Sequence, residues 1–194
     1  MLNKTELRSR LRKARAAIPE HTRRTAAEQL RRLAVRERLL RFRKIGFYLP
    51  FQSEMDLLPL LNQALGLNKR CYLPVVPDRF EKQLRFTRLS GRRNWYLNRF
   101  GIHEHWSPRS VRASQLDLLF VPLVGFDQHG YRLGMGGGFY DASLAYLRRR
   151  RTWHKPLLVG VGYELQMVAE VPHDPWDIPL DAVLTEQRLH RFQR

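Results

Sequence analysis

Residues 118–141 read LLFVPLVGFDQHGYRLGMGGGFYD, an uninterrupted apolar run that leads through a turn into a glycine-rich loop. This stretch restricts the fold more tightly than any other. The run at 118–124 predicts a buried strand, and Asp127-Gln128-His129-Gly130 predicts a turn. Arg132 follows, then Gly134, Gly136, Gly137 and Gly138 within five residues, then Phe139, Tyr140 and Asp141. Glycines let backbone N–H groups turn toward an anion and let a ligand approach with no side chain in the way. A helix starting near Phe139 would aim its free N–H groups and its positive dipole end at the same anion. Arg132 would add a guanidinium, and Asp141 an oxygen for Mg²⁺. The functional reading is a nucleotide-phosphate site; the plain one is a glycine turn that merely permits tight packing. Arg132 before the glycines and Asp141 after them favour the first.

Neither familiar phosphate motif fits. A P-loop needs Lys-Ser/Thr after its last glycine, and here Gly138 is followed by Phe139-Tyr140. A dinucleotide GxGxxG starting at Gly134 fails at its sixth position, Phe139.

The remaining chain alternates helices with short apolar strands. Asn3 and Glu6 form a capping-box pattern that opens a helix reaching residue 19, with Leu7, Leu11, Ala14 and Ile18 on one face. A second helix is predicted over 22–40 and a short strand over 45–49. Asp56 is positioned to cap a helix that carries Pro59 in its first turn and ends at Gly66. Strands are predicted at 71–76, 84–89, 157–161 and 182–185, and a helix over 140–150. Residues 90–110 hold Gly91, Asn94, Asn98, Gly101 and Pro108 among aromatics, which predicts a long irregular loop. This pattern implies a three-layer α/β/α open sheet, largely parallel, with a basic N-terminal helical segment. No repeat or linker divides the chain, so residues 1–194 are expected to form a single domain.

Charge is the unusual feature of the composition. Residues 1–44 hold 15 Lys/Arg against 4 Asp/Glu, the larger part of a formal net charge of +17. Such a surface attracts polyanions, nucleic acid included, in a salt-dependent way. Few aromatics interleave with these cations, and no RRM or KH signature is present, so nucleic-acid contact is expected to be non-specific if it occurs. No apolar run approaches the roughly 20 residues that span a bilayer. With no apolar h-region near the N-terminus and one cysteine, Cys71, inside a predicted strand, a cytoplasmic protein is expected, with no membrane partner.

RLGMGGGFYD preceded by VPLVGFDQHG closely resembles the signature of the 5-formyltetrahydrofolate cyclo-ligase (5,10-methenyltetrahydrofolate synthetase) family. Four further blocks match in order: Lys4-x-x-Leu7-Arg8, Gly46-Phe47-Tyr48-Leu49-Pro50 leading into Glu54, Tyr72-Leu73-Pro74-Val75-Val76, and Trp176-Asp177-Ile178-Pro179-Leu180-Asp181 with Val183-Leu184-Thr185. The resemblance implies the same open α/β/α architecture and an ATP- and Mg²⁺-dependent cyclisation of 5-formyltetrahydrofolate, with or without a polyglutamate tail, to 5,10-methenyltetrahydrofolate. It implies that Lys4, Arg8 and residues Arg132, Leu133, Gly134, Met135, Gly136, Gly137, Gly138, Phe139 and Tyr140 hold ATP. It also implies that Leu49 and Glu54, with Met135, Gly136, Gly137, Gly138 and Phe139, contact the folate. Arg132 and Asp141 become the catalytic candidates, and Asp141 and Asp177 the magnesium ligands.

Read without the family, several of these residues have simpler explanations. Lys4 and Arg8 are two more cations on a basic helix, four residues apart and therefore on one face. Glu54 is a loop glutamate, Asp141 a helix-start acid and Asp177 a turn cap. Trp95, Tyr96 and Phe100 are candidates to stack on the pteridine or aminobenzoyl ring, or to pack as a loop cluster. His103 and His105 have H-x-H spacing without a third zinc-like ligand, and they stand where the family often carries an Ile-Pro-x-Pro pattern. His173 and Asp174 read as a surface pair, and Arg148 through Arg151 as a helix end. Two other functions stay open at this point: a different phosphoryl-transfer enzyme on the same fold, and a basic RNA-binding protein.

Overall fold

The structure, a computed structural model, describes residues 3–77, 81–91, 94–149 and 155–192. Helix α1 spans Lys4–Ala16 and is opened by the expected capping box: the Asn3 side chain accepts from the backbone N–H groups of Thr5 and Glu6 while Glu6 reaches back to the Asn3 N–H. Helix α2 spans Glu20–Arg36, and the predicted continuation to residue 40 is instead a turn followed by a 3₁₀ segment at Leu39–Arg41. Arg38 adopts a left-handed conformation (φ 58°), and that breaks the helix there. Strand β1 is Lys44–Gly46 and stops three residues short of the predicted end at 49, whereas helix α3 (Leu58–Gly66), strand β2 (Arg70–Val75) and strand β3 (Arg85–Arg88) follow close to expectation. Asp56 Oδ1 accepts from the Leu58 N–H at 2.8 Å, so the expected acid does satisfy the first turn of α3.

The predicted irregular loop at 90–110 is corrected. It contains an antiparallel hairpin, β4 (Trp95–Leu97) with β5 (His103–His105), and a short edge strand, β6 (Ser110–Val111). All three residues of β4 are exposed, so the strand carries none of the apolar alternation that marks one. Beyond it lie β7 (Leu118–Pro122), β8 (Gly125–Phe126) and β9 (Arg132–Leu133), the last two paired across the Asp127–Gly130 turn. Helix α4 is shorter than predicted, Phe139–Leu144, and continues as a 3₁₀ segment over Ala145–Arg149. The remainder of the predicted helix, and Arg150 and Arg151 of the arginine run, lie outside the described residues. Strand β10 matches its expectation residue for residue (Leu157–Val161), β11 is Ala182–Leu184, and an unanticipated antiparallel edge strand, β12 (Leu189–Arg191), closes the sheet.

The main sheet has eight strands in the order β12-β11-β10-β7-β1-β2-β3-β6. Its five central members are parallel and both flanks are antiparallel. Strand β7 alternates between two cores. Leu118 and Phe120 point into one built with α2 and α3, while Leu119 and Val121 point into another that includes Leu144 of α4 and Leu147. Burial on both faces is why the central strands read as unbroken apolar runs. A third, smaller core joins Leu7 and Leu11 of α1 to Val124 and Leu133 of the β8–β9 hairpin. Cys71 is fully buried on β2, and burial pushes its thiol up to about 12, as befits a small hydrophobe. Among the described residues, no helix is long and apolar enough to cross a membrane.

Candidate active site

From β1 the chain crosses to β2 on one side, then returns at β7 on the other, so the parallel order reverses between β1 and β7. At such a switch point the loops leaving neighbouring strands diverge and open a crevice at the carboxyl ends. Here the crevice is a cavity of ≈ 630 Å³, bordered by Tyr48 and Leu49 beyond β1, Pro74 of β2 and Pro122 of β7. Every residue to which the resemblance assigned a role borders this one cavity, although they come from both ends and the middle of the chain.

The glycine loop forms one wall. Gly136 (φ 98°) and Gly138 (φ 70°) take left-handed conformations, and Gly138 is the residue from which α4 starts. Nothing lies within 4 Å of a Cβ placed on Gly138, so a substitution there meets conformational strain alone. Gly138→Ala is expected to cost about 1–2 kcal/mol and to raise the KM for the nucleotide. Gly138→Asn, which tolerates this conformation, should recover most of the loss, as steady-state kinetics and thermal melts of the two variants will show. The Arg132 side chain is almost wholly buried. Its Nη1 donates to the Ile178 carbonyl at 2.9 Å, and its Nη2 pairs with Asp141 Oδ1. A guanidinium held by two acceptors presents its remaining N–H groups in a fixed direction.

Helix α1 closes the same end. Arg8 Nε donates to the Gly134 carbonyl at 2.7 Å. Lys4 Nζ lies 2.7 Å from Asp174 Oδ2 and 3.6 Å from Asp177 Oδ2, and the hydrogen bond to Asp174 holds its ammonium above the ordinary lysine value. Asp174 is thus a partner of Lys4, not the His173 pair that adjacency suggested; His173 stacks on Tyr131 with ring centroids 3.5 Å apart. Among the described residues no group of three or more His, Cys, Asp or Glu could hold a metal. Mg²⁺ needs less, since one or two carboxylates suffice when phosphates and water complete its shell. Asp141 and Asp177, both on the cavity wall and each facing a cation, fit that requirement.

At the opposite end Glu54 lies in a closed turn. Its Oε2 accepts from the Phe51 N–H at 3.1 Å, and its own N–H donates to the Phe51 carbonyl at 3.1 Å. Burial pushes its carboxyl above the usual range, against the pull of the Phe51 N–H and the Arg15 guanidinium. The Tyr140 hydroxyl is shielded from solvent and has no hydrogen-bond partner among the described residues, and burial raises its phenol. A buried free donor at a cavity wall is available to a ligand. Leu49, Met135 and Phe139 add apolar surface.

Two residues of the cavity escaped the sequence, Glu104 and Tyr48, while the aromatic candidates divide. Phe100, one of the three aromatic candidates, does border the cavity and meets Phe139 edge-to-face at 6.0 Å. Trp95 packs instead on His105, and the Tyr96 hydroxyl donates to Glu104. Glu104, buried inside the His-Glu-His run, also accepts from the Val76 N–H and from Asn98 Nδ2, pinning the hairpin to β2 and bordering the cavity. The only signal for it is a lone acid between aromatic-rich flanks. Tyr48, whose hydroxyl donates to the Met55 carbonyl at 2.9 Å, was legible only as Leu49's neighbour.

An open α/β sheet with a glycine loop, a buried arginine and two carboxylates, each beside a cation, at its switch point defines the class of α/β proteins that carry a ligand crevice at the carboxyl ends of their strands. Comparison with known proteins narrows the class. Residues 1–186 match the model of the 5-formyltetrahydrofolate cyclo-ligase family. The 5-formyltetrahydrofolate cyclo-ligase of Escherichia coli (strain K12) is 36% identical over 177 residues, covering 90% of this chain and 95% of that one. The enzyme of the same name from Haemophilus influenzae is 33% identical over 189 residues, covering 92% and 95%. The solution structure of Aquifex aeolicus 5,10-methenyltetrahydrofolate synthetase superimposes with a TM-score of 0.83 at 32% identity, covering 100% of this chain and 94% of that one. The chain belongs to the 5-formyltetrahydrofolate cyclo-ligase family.

Proposed function

We propose that residues 1–194 act as one catalytic domain that converts 5-formyltetrahydrofolate to 5,10-methenyltetrahydrofolate, consuming ATP with Mg²⁺ and releasing ADP and phosphate. The observation that carries this reading is convergence: Lys4 and Arg8 of α1, the glycine loop, Glu54, Asp141 and Asp177 surround a single cavity at the sheet's switch point.

The chemical problem is that a formamide oxygen is a poor leaving group. Transfer of the γ-phosphoryl group to that oxygen, with ADP leaving, makes it a good one; N10 then attacks the activated carbon and gives up its proton, and the carbon–oxygen bond breaks to release phosphate. Such a reaction asks for charge neutralisation, orientation and exclusion of water, and for no protein nucleophile. The site is equipped accordingly. Gly136 and Gly138 turn the loop so that its backbone lines the cavity, and Arg132 and Arg8 supply positive charge along it. Mg²⁺, held by Asp141 and Asp177, would neutralise phosphate charge as a Lewis acid. Glu54 accepts from the pterin amino group and ring N–H, the Tyr140 hydroxyl supplies a further donor, and Leu49, Met135 and Phe139 bed the ring.

The test is the near-ultraviolet absorbance of methenyltetrahydrofolate after mixing protein with 5-formyltetrahydrofolate, ATP and Mg²⁺. A rise that requires all three is expected. No rise in the complete mixture, with ATP still bound, would leave a nucleotide site that serves another substrate.

A further inference from the structure

The deepest cation among the described residues does not border the cavity. Arg15, in the last turn of α1, is 2% exposed. Burying a guanidinium is costly, and an apolar residue fills such a position at lower cost unless the charge has work to do. The contacts of Arg15 indicate that work. Its Nε donates to Ser53 Oγ at 3.2 Å and its Nη1 to the Leu123 carbonyl at 3.4 Å. One side chain therefore ties the residue preceding Glu54 to the segment that joins β7 to β8.

Arg15 is also the last member of a stripe. Lys4, Arg8, Arg12 and Arg15 recur every three or four residues and so share one face of α1. Lys4 engages Asp174 and Asp177, Arg8 engages Gly134, Arg12 Nη2 reaches Gln52 Oε1 at 3.5 Å, and Arg15 takes Ser53. The helix thus grips loops at both ends of the cavity, and its two C-terminal arginines grip the 51–54 turn. Gln52 holds a left-handed conformation (φ 54°) without being glycine, so the turn benefits from being held.

We propose that Arg15 is a positioning residue for folate binding: its guanidinium holds Ser53 against the end of β7 and so fixes the turn that aims Glu54 into the cavity. This rests on the reading that Glu54 contacts the folate. Burial weakens the Arg15 guanidinium's hold on its proton and the nearby Glu54 carboxylate strengthens it, so the two groups sense each other across the turn.

The experiment compares KM for 5-formyltetrahydrofolate with KM for ATP in Arg15→Met, Arg15→Lys and Ser53→Ala. Arg15→Met is expected to raise the folate KM about 30-fold and the ATP KM less than about twofold, a loss of ground-state binding confined to one substrate. Arg15→Lys keeps the charge but not the two-acceptor geometry and should recover part of the loss. Ser53→Ala leaves the cation in place and removes its handle; a folate-only rise of about fivefold is expected, and this variant decides the matter should Arg15→Met fail to fold. Folate and ATP KM values that rise together with a fall in Tm, or that stay unchanged, overturn the positioning role. An inactive wild-type protein overturns the folate reading itself, and this inference with it.

Discussion

Asp141→Asn is expected to lower kcat by about two to three orders of magnitude while leaving the protein folded. Asparagine keeps the shape and one acceptor oxygen, so Arg132 retains a partner; what disappears is the negative charge. That charge has two tasks in the proposed mechanism. It orients the Arg132 guanidinium, which is also held by the Ile178 carbonyl, and it offers an oxygen to Mg²⁺. The Asp141 side chain is 46% exposed, so the stability loss should stay near that of a surface ion pair, about 1 kcal/mol or less. Single-turnover kinetics across a Mg²⁺ titration, beside a thermal melt, check both halves. Wild-type turnover in the variant would take Asp141 out of the site. A kcat that excess Mg²⁺ fully restores would assign it to metal affinity alone.

Glu54→Gln separates binding from stability in opposite directions. The KM for folate should rise about 10- to 100-fold, because a carboxylate that accepts from pterin donors is replaced by an amide whose own N–H₂ opposes one of them; the KM for ATP should move by less than about threefold. Thermal stability without ligand should increase. Burial is the dominant influence on Glu54, and it raises the carboxyl above its unfolded value. The folded state therefore holds this proton more tightly than the unfolded chain, and the group's contribution to stability, intact at low pH, is lost as pH rises through the raised folded value. The amide of the Glu54→Gln variant carries no charge and escapes that loss. Its advantage is present at neutral pH, shrinks as pH falls below the raised value and vanishes below the ordinary unfolded carboxyl range, where Glu54 is protonated in both states. Thermal melts of both proteins from pH 4 to pH 8 measure this directly. Equal KM changes for both substrates would remove the pterin contact.

Much of the chain was legible from local patterns, for identifiable reasons. The Asn3–Glu6 box is a local device that satisfies its own helix end, so it forms as read. Strand β10 has parallel neighbours on both sides and burial on both faces, which leaves an uninterrupted apolar run with sharp ends. The glycine loop announced itself because left-handed backbone at Gly136 and Gly138 selects glycine over any other residue. Hairpin β4–β5 was invisible because its first strand faces solvent and is stabilised from elsewhere, through Glu104 bonding to the backbone of Val76.

The sequence by itself determined the layered architecture, the position of the glycine-rich loop and, through its resemblance to a family, many of the residues that border the cavity. Only the tertiary structure showed what the cations on α1 engage, and that Arg12 and Arg15 hold the 51–54 turn. Along the chain Lys4, Arg8, Arg12 and Arg15 look like the other basic residues of the first two helices, because helical periodicity reports which face a residue is on and not what the face meets. Their partners at Asp174, Gly134, Gln52 and Ser53 are 170, 126, 40 and 38 residues away, and each contact exists only once the sheet has brought its loops to one edge. The same holds for the carboxylates. Asp141 and Glu54 are ordinary acids in sequence; a buried arginine beside one and the desolvation of the other set them apart, and both are properties of packing.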